Sequence, residues 1–224
     1  MKIWKRPYKK PKLSSKHFCP AKVDASVQKV GLYFGSFNPV HKGHVSLAHW
    51  ILQHTEVDEV WMVVSPQNPF KINQTLYPNE ERFNWVQMAV EDIPGIMACN
   101  AEFFLPQPSY TIDTLRFLSD KFPNLRFSLI MGADNVLGFS AWKNAEEILE
   151  RVDIMVYPRP GVDITEIIKR YPTMCLLQDV PLHDVSSTQV RQLTDAGMDV
   201  SDLLPDAVAK VFVNQSIDDD MARP

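Results

Sequence analysis

Two histidines three positions apart, His41 and His44, close the segment Gly35-Ser36-Phe37-Asn38-Pro39-Val40-His41-Lys42-Gly43-His44. Imidazoles at i and i+3 share one face of a helical turn. Two of them aimed at one phosphate can donate hydrogen bonds to oxygens that gain charge in a transition state. A lone H-x-G-H is more often two polar residues at a helix start, but the surroundings here argue for chemistry. Val30 to Phe34 reads as a buried strand and Val45 to Leu52 carries helical apolar spacing, so the motif occupies a strand-to-helix turn. Free backbone N–H groups and the positive end of the helix dipole meet at such a turn and form an anion site. Gly35 is expected to let backbone approach a phosphate, and Gly43 to remove bulk where the helix begins.

The elements that must position this pair follow from periodicity and punctuation. Glu59–Val64 reads as a second strand, followed by a proline-rich loop, Ser65 to Pro78. Asn79, as N-cap, opens a helix through Val90 with Glu80 and Glu81 in its first turn. A short strand is expected at Ile96 to Ala98, a helix at Ser109 to Leu118, and a strand at Arg126 to Met131 ending at Gly132. Then come a helix at Ala145 to Arg151, a strand at Asp153 to Tyr157, a helix at Ile164 to Lys169 and a last strand at Met174 to Leu177. Helices at Ser187 to Leu193 and Ala207 to Val213 close the chain. Such alternation predicts an α/β fold, Rossmann-like, with a mainly parallel sheet flanked by helices and a C-terminal helical extension. Ligands in these sheets bind beyond the carboxyl ends of the strands, where every candidate lies: His41 and His44, Lys71, Gly132 and Asp134, Ser187 and Arg191.

With 224 residues, 45% hydrophobic and 22% charged, the chain can bury one full core. No apolar run approaches the roughly eighteen residues of a membrane span, and no signal peptide opens the sequence, so a cytoplasmic location and no membrane partner are expected. Cys19, Cys99 and Cys175 lack metal or redox spacing and read as reduced. The net charge of −4 conceals an asymmetry. Residues 1–29 hold nine of the 23 Lys and Arg with one acid, leaving 14 basic and 26 acidic residues in 30–224. The expected organisation is therefore a basic, poorly ordered extension, 1–29, on a single acidic domain, 30–224, with no nucleic-acid partner for the body. Deletion of 1–28 is expected to spare any activity, since every motif begins at Val30 or later.

Four segments together resemble the H-x-G-H nucleotidyltransferase family, and most closely its nicotinate-nucleotide adenylyltransferase branch. They are Gly35 to His44, Pro108-Ser109-Tyr110-Thr111-Ile112-Asp113-Thr114-Leu115, Met131-Gly132-Ala133-Asp134 with Trp142, and Val185-Ser186-Ser187-Thr188-Gln189-Val190-Arg191. The first and last mark the superfamily, and the middle two point to the nicotinate branch. Asn38 stands where Asp is frequent, and Phe70 precedes Lys71 where the family often has His.

The resemblance implies that the phosphate of nicotinate mononucleotide attacks the α-phosphorus of ATP, giving the dinucleotide and pyrophosphate. That phosphate, with a second pKa of about 6, needs no general base at neutral pH. Positioning and charge stabilisation remain. His41 and His44 suit the α-phosphate; Gly35, Ser36, Phe37, Gly132 and Asp134 suit the rest of ATP, with Asp134 equally readable as a helix cap. Ser187, Thr188 and Arg191 suit the β- and γ-phosphates, because hydroxyls, free amides and a guanidinium fork converge there. Trp142 would stack on the pyridine ring and Thr111, cap or not, would present an amide to the nicotinate carboxylate, with Tyr110 and Lys71 beside them. Mg²⁺ would ride on the ATP phosphates, since it keeps its waters and no carboxylate cluster is legible. His49, His54 and His183 show no partner pattern and read as structural or exposed.

Other readings keep the same phosphate pair. The acceptor could be nicotinamide mononucleotide or phosphopantetheine, although the pantetheine branch lacks G-A-D-x₇-W. A nucleotide sensor without turnover has no need for transition-state donors, and a class I aminoacyl-tRNA synthetase needs a longer chain. Assembly as a homo-oligomer is left open by the sequence.

Overall fold

A computed structural model describes residues 18, 20, 23–67 and 76–212. Lys71 and Cys19, most of the basic extension, and Val213 onward lie outside the described residues.

Six parallel strands form one sheet in the order β3-β2-β1-β4-β5-β6. These are β1 (Lys29–Gly35), β2 (Glu59–Val64), β3 (Ile96–Cys99), β4 (Arg126–Gly132), β5 (Asp153–Tyr157) and β6 (Cys175–Leu176). The order reverses between β1 and β4, whose registered pairs run from Lys29 with Arg126 to Tyr33 with Ile130. Loops leaving these two strands diverge to opposite faces and open a crevice, the switch point of a doubly wound sheet.

The strands are apolar on both sides because helices cover both faces. On one face Tyr33, Met62, Val64 and Ile130 pack with α1 (Lys42–His54), α2 (Asn79–Val90) and a C-terminal helical stretch, 206–212. On the other, Leu32, Trp61, Leu129 and Val156 pack with α3 (Thr111–Lys121), α5 (Ala145–Arg151) and α6 (Ile164–Arg170). A one-turn α4 (Ala133–Val136) follows β4, and α7 (Ser187–Asp195) follows the loop after β6. Among the described residues no helix is long and apolar enough to cross a membrane.

Differences from the sequence reading have local causes. Asn79 is not a cap. Pro78 holds the N-cap position of α2, and the Asn79 side chain accepts from Arg82 Nη2 at 2.6 Å. Helix α3 begins at Thr111 and not at Ser109, because the Ser109 amide donates to Gln67 O and Tyr110 stays extended as the N-cap residue, with no side-chain cap. A 3-10 turn at Ala101–Phe104 has no apolar period long enough to read. The basic extension is not detached where it is described: Phe18 meets the rings of Phe104, Phe117 and Phe122, with centroids 5.8–5.9 Å apart, and Val23 and Val27 pack on the same cluster.

Candidate active site

The turn after β1 is shaped by Phe37 more than by its glycine. Phe37 sits at φ 43°, a backbone region that costs a bulky residue on the order of 1–3 kcal/mol. Burial holds it there. Its ring is 1% exposed, edge-on to Tyr33 at 5.6 Å and to His44 at 5.1 Å. A Cβ on Gly35 would come within 2.8 Å of that ring. Gly35 therefore makes room for a core aromatic, and it also lines the cleft described below. Gly43 matches its expected role, since a Cβ there would press on Val185 and the His41 ring at 3.1 and 3.2 Å.

His41 is the N-cap residue of α1 and His44 its third helical residue, so the two rings stack with centroids 3.6 Å apart. The His41 backbone N–H donates to His44 Nδ1 at 3.2 Å. That bond leaves the proton of a neutral His44 ring on Nε2. Both rings are neutral at physiological pH. Burial, followed by the charges of Arg159 and His183, pushes the His41 pKa down to about 4; burial, then His41 and Arg159, hold His44 well below its usual value. His41 Nδ1 is buried and has no partner among the described residues.

Helix α7 faces this pair across the crevice. Ser186 caps it by accepting from Gln189 N–H, Ser187 Oγ donates to Pro39 O at 2.8 Å, and Arg191 donates to Asn38 O at 2.6 Å and to Thr188 Oγ1 at 3.1 Å. The turn after β1 and helix α7 are thus hydrogen-bonded to each other.

These elements wall one cleft of about 520 Å³, within the usual size for a small-molecule site. The structure brings together there every candidate that it describes: Gly35, Ser36, Phe37, His41 and His44 from the first turn, Tyr110 and Thr111 from the start of α3, Gly132, Asp134 and Trp142 after β4, and Ser187, Thr188 and Arg191 on α7. Lys71 lies outside the described residues. Asp134 is no cap: Gly132 holds that position, and the carboxylate stands 3.5 Å from Arg159 Nε. Trp142 is half-buried, packed on Phe139 with centroids 5.4 Å apart. Beside it the Lys143 ammonium lies over the Tyr110 ring at 4.8 Å.

Three residues that line the cleft escaped the sequence reading. Arg159 follows β5 as the other candidates follow their strands, so the carboxyl-end rule would have found it. His183, expected to lack a partner, is exposed and bonds Ser46 Oγ at 2.7 Å. Glu102 lies on the unforeseen 3-10 turn and carried no signal.

Beneath the cleft Arg82 is fully buried. Its guanidinium donates to Ser36 O, to Ser65 O at 2.8 Å and to Pro66 O at 3.3 Å, while Nε donates to Tyr77 O at 2.9 Å. One side chain ties together the loops that leave β1 and β2. Burial lowers its pKa to about 10, which keeps it charged at neutral pH.

Comparison with known proteins places this architecture. The family model described as cytidylyltransferase-like matches residues 32–193. A probable nicotinate-nucleotide adenylyltransferase of Cytophaga hutchinsonii is 42% identical over 187 residues, covering 84% of this chain and 96% of that protein. One of Bacteroides fragilis is 40% identical over 188 residues, covering 84% and 92%. The solved nicotinic acid mononucleotide adenylyltransferase of Plasmodium falciparum, complexed with NaAD, shares the fold, with a TM-score of 0.71 at 18% identity over 86% of this chain and 98% of that one. The cleft at the switch point and the likeness over most of its length agree: the chain belongs to the cytidylyltransferase-like family, among the nicotinate-nucleotide adenylyltransferases.

Proposed function

We propose that this chain transfers the adenylyl group of ATP to nicotinate mononucleotide. A phosphate oxygen of the mononucleotide bonds to the α-phosphorus, the bond from that phosphorus to its bridging oxygen breaks, and pyrophosphate leaves. The observation that carries the reading is the convergence of four separate sequence segments on one cleft, with two neutral stacked imidazoles at its centre. The relatives' names support it.

In this reading His44 Nε2–H and the His41 ring donate to the α-phosphate, where charge grows. Ser187, Thr188, Arg191 and the amides at the start of α7 receive the β- and γ-phosphates, with Ser36, Gly132 and Asp134 along the nucleotide. Phe37 acts through its backbone and as the wall behind His44, since its ring is in the core. Trp142, Tyr110, the Thr111 amide and Lys71 take the acceptor. Among the described residues no three acidic, thiol or imidazole side chains gather to hold a metal. In this reading Mg²⁺ would come with ATP and would supply neutralising charge. A cytoplasmic setting with no membrane partner belongs to the same proposal.

Pyrophosphate release with ATP and each of nicotinate mononucleotide, nicotinamide mononucleotide and phosphopantetheine tests the reading. A site of donors leaves a nicotinamide NH₂ unmet at a cost of about 1–3 kcal/mol, so kcat/KM should favour the acid by roughly ten- to a hundredfold. Trp142→Ala should raise the KM for nicotinate mononucleotide and leave that for ATP nearly unchanged. Equal use of both pyridine mononucleotides would remove the chain's assignment to the acid.

A further inference from the structure

A carboxyl group is buried in the cleft wall where the reaction has no use for one. Glu102, on the 3-10 turn after β3, is 2% exposed and lines the cleft. Its Oε1 accepts from Thr114 Oγ1, on the first turn of α3, at 3.1 Å. Ser65, just beyond β2, and Ser109, two residues before α3, bring hydroxyls towards the same carboxyl. The end of β2 and the start of α3 therefore converge on one side chain.

The arrangement is half complete. Glu102 Oε2 and Ser109 Oγ are both buried and neither has a hydrogen-bond partner among the described residues. Buried polar atoms are rarely left so, because each unmet group costs free energy. Ser109 lies towards the carboxyl that carries the other unmet atom, so a hydroxyl donor and a carboxylate acceptor face one another there. Ser109 is tied through its amide to Gln67 O at 3.3 Å, at the head of the segment leading to Tyr110 and Thr111.

We propose that Glu102 is a positioning residue for the acceptor: its carboxylate gathers the hydroxyls of Ser65, Ser109 and Thr114 and so sets where Tyr110 and the Thr111 amide stand against the pyridine base. The inference rests on the reading of that segment as the acceptor subsite.

Protonation state decides how well it does this. An ionised carboxylate offers only acceptors, which three hydroxyl donors match; a protonated one turns an oxygen into a donor. Burial pushes the Glu102 pKa up to about 7, against the hydroxyls of Ser65, Thr114 and Ser109 and the positive charge of Arg82 on α2, all of which lower it. Arg82 stays charged throughout and donates to carbonyls and to Asn79, so among the described residues it acts on Glu102 through its charge and not as an ion-pair partner. At a pH one unit below that value only about a tenth of the carboxyl is ionised. Acceptor recognition should therefore fade on the acid side of neutrality while ATP recognition does not.

The test measures KM for nicotinate mononucleotide and for ATP from about pH 6 to about pH 8 in the full chain and in Glu102→Gln, with thermal melting alongside. Titration of the substrate phosphate affects both proteins alike, so the ratio of their acceptor KM values isolates Glu102. That ratio should be on the order of three- to tenfold at the alkaline end and approach one at the acid end, with ATP KM equal in both. Glu102→Gln should also melt higher than wild type at the alkaline end, because it removes a buried charge, and the gap should close as the pH falls through about 7 to below the ordinary carboxyl value of 4.5. A more stable protein with poorer acceptor affinity is an outcome that a merely structural side chain would not give. Should Glu102→Gln fail to fold, Ser109→Ala, which removes one of the gathered hydroxyls, should raise acceptor KM alone. Identical acceptor KM at every pH, or a rise in ATP KM in step with it, overturns the proposal. A wild-type chain that never uses nicotinate mononucleotide is recognisable without any variant and overturns the acceptor reading beneath it.

Discussion

His44 is held as a one-directional donor. Its Nδ1 accepts from the His41 backbone, its ring is wedged between Phe37 and His41, and its low pKa keeps it neutral. A donor fixed in this way and aimed at growing charge is typically worth roughly 2.7–4 kcal/mol in the transition state. His44→Ala should accordingly lower kcat by about 10²–10³ with little change in the KM for ATP, and His41→Ala should behave alike. Steady-state kinetics that left kcat near wild type in either variant would remove that ring from the reaction. The pH dependence follows from the same burial. Both histidines are neutral in the fold and take up protons when unfolded below about pH 6.5, so stability is fully present above that value and falls as the pH drops towards the His41 pKa of about 4. Urea midpoints should decline over that window, and His41→Gln should decline less. The catalytic rate, by contrast, should show no histidine titration between about pH 6 and 8.

Elements deliver these residues, and most were legible because they are long and regular. The second strand, Glu59–Val64, and α5 have the limits that their periodicity predicts, and α2, β1 and β4 differ by a residue or two. What periodicity missed is short or held by tertiary bonds. The turn Ala101–Phe104 spans four residues, and β6 keeps only Cys175 and Leu176 because only that pair registers with β5. Arg82 shows the limit of pattern reading most clearly. Inside α2 it looks like an ordinary helical arginine three positions from Asn79, whose side chain it meets, yet it is buried and its other partners are main-chain oxygens of four residues outside its helix. No side-chain spacing announces main-chain acceptors. Arg82→Leu should destabilise the protein by more than about 3 kcal/mol, since several buried carbonyls each lose a donor at a cost of about 1–3 kcal/mol. Arg82→Lys should recover only part of this, as an ammonium cannot reproduce the planar fork. Denaturant midpoints give the answer, and a Leu variant as stable as wild type would show that the loops hold without it.

At the scale of the molecule, the acidic body and basic extension are joined by packing as well as by the chain. Phe18 inserts among three phenylalanines, with the Lys121 ammonium 4.6 Å from its ring, and Pro20 is buried. Removal of residues 1–28 is therefore expected to cost about 1–3 kcal/mol of stability, or roughly 2–4 °C of Tm for each kcal/mol, while kcat is kept because neither Phe18, Val23 nor Val27 lines the cleft. Phe18→Ala alone should reproduce most of the loss in a thermal melt; unchanged melting would place the anchor elsewhere. The hydrogen bonds from Ser187 to Pro39 and from Arg191 to Asn38 join residues 148 and 153 positions apart, and Lys42 N–H reaches Leu203 O in the same region. During synthesis the chain therefore completes β1 and its histidine turn long before the helix that faces them has been made. Contacts of such sequence separation are slow to form, and the chain emerges at about 5–20 residues per second. A ribosome stalled before Ser187 would display most of the sheet with an open histidine turn, and capacity to hold ATP should appear as a late, abrupt step once α7 has cleared the exit tunnel.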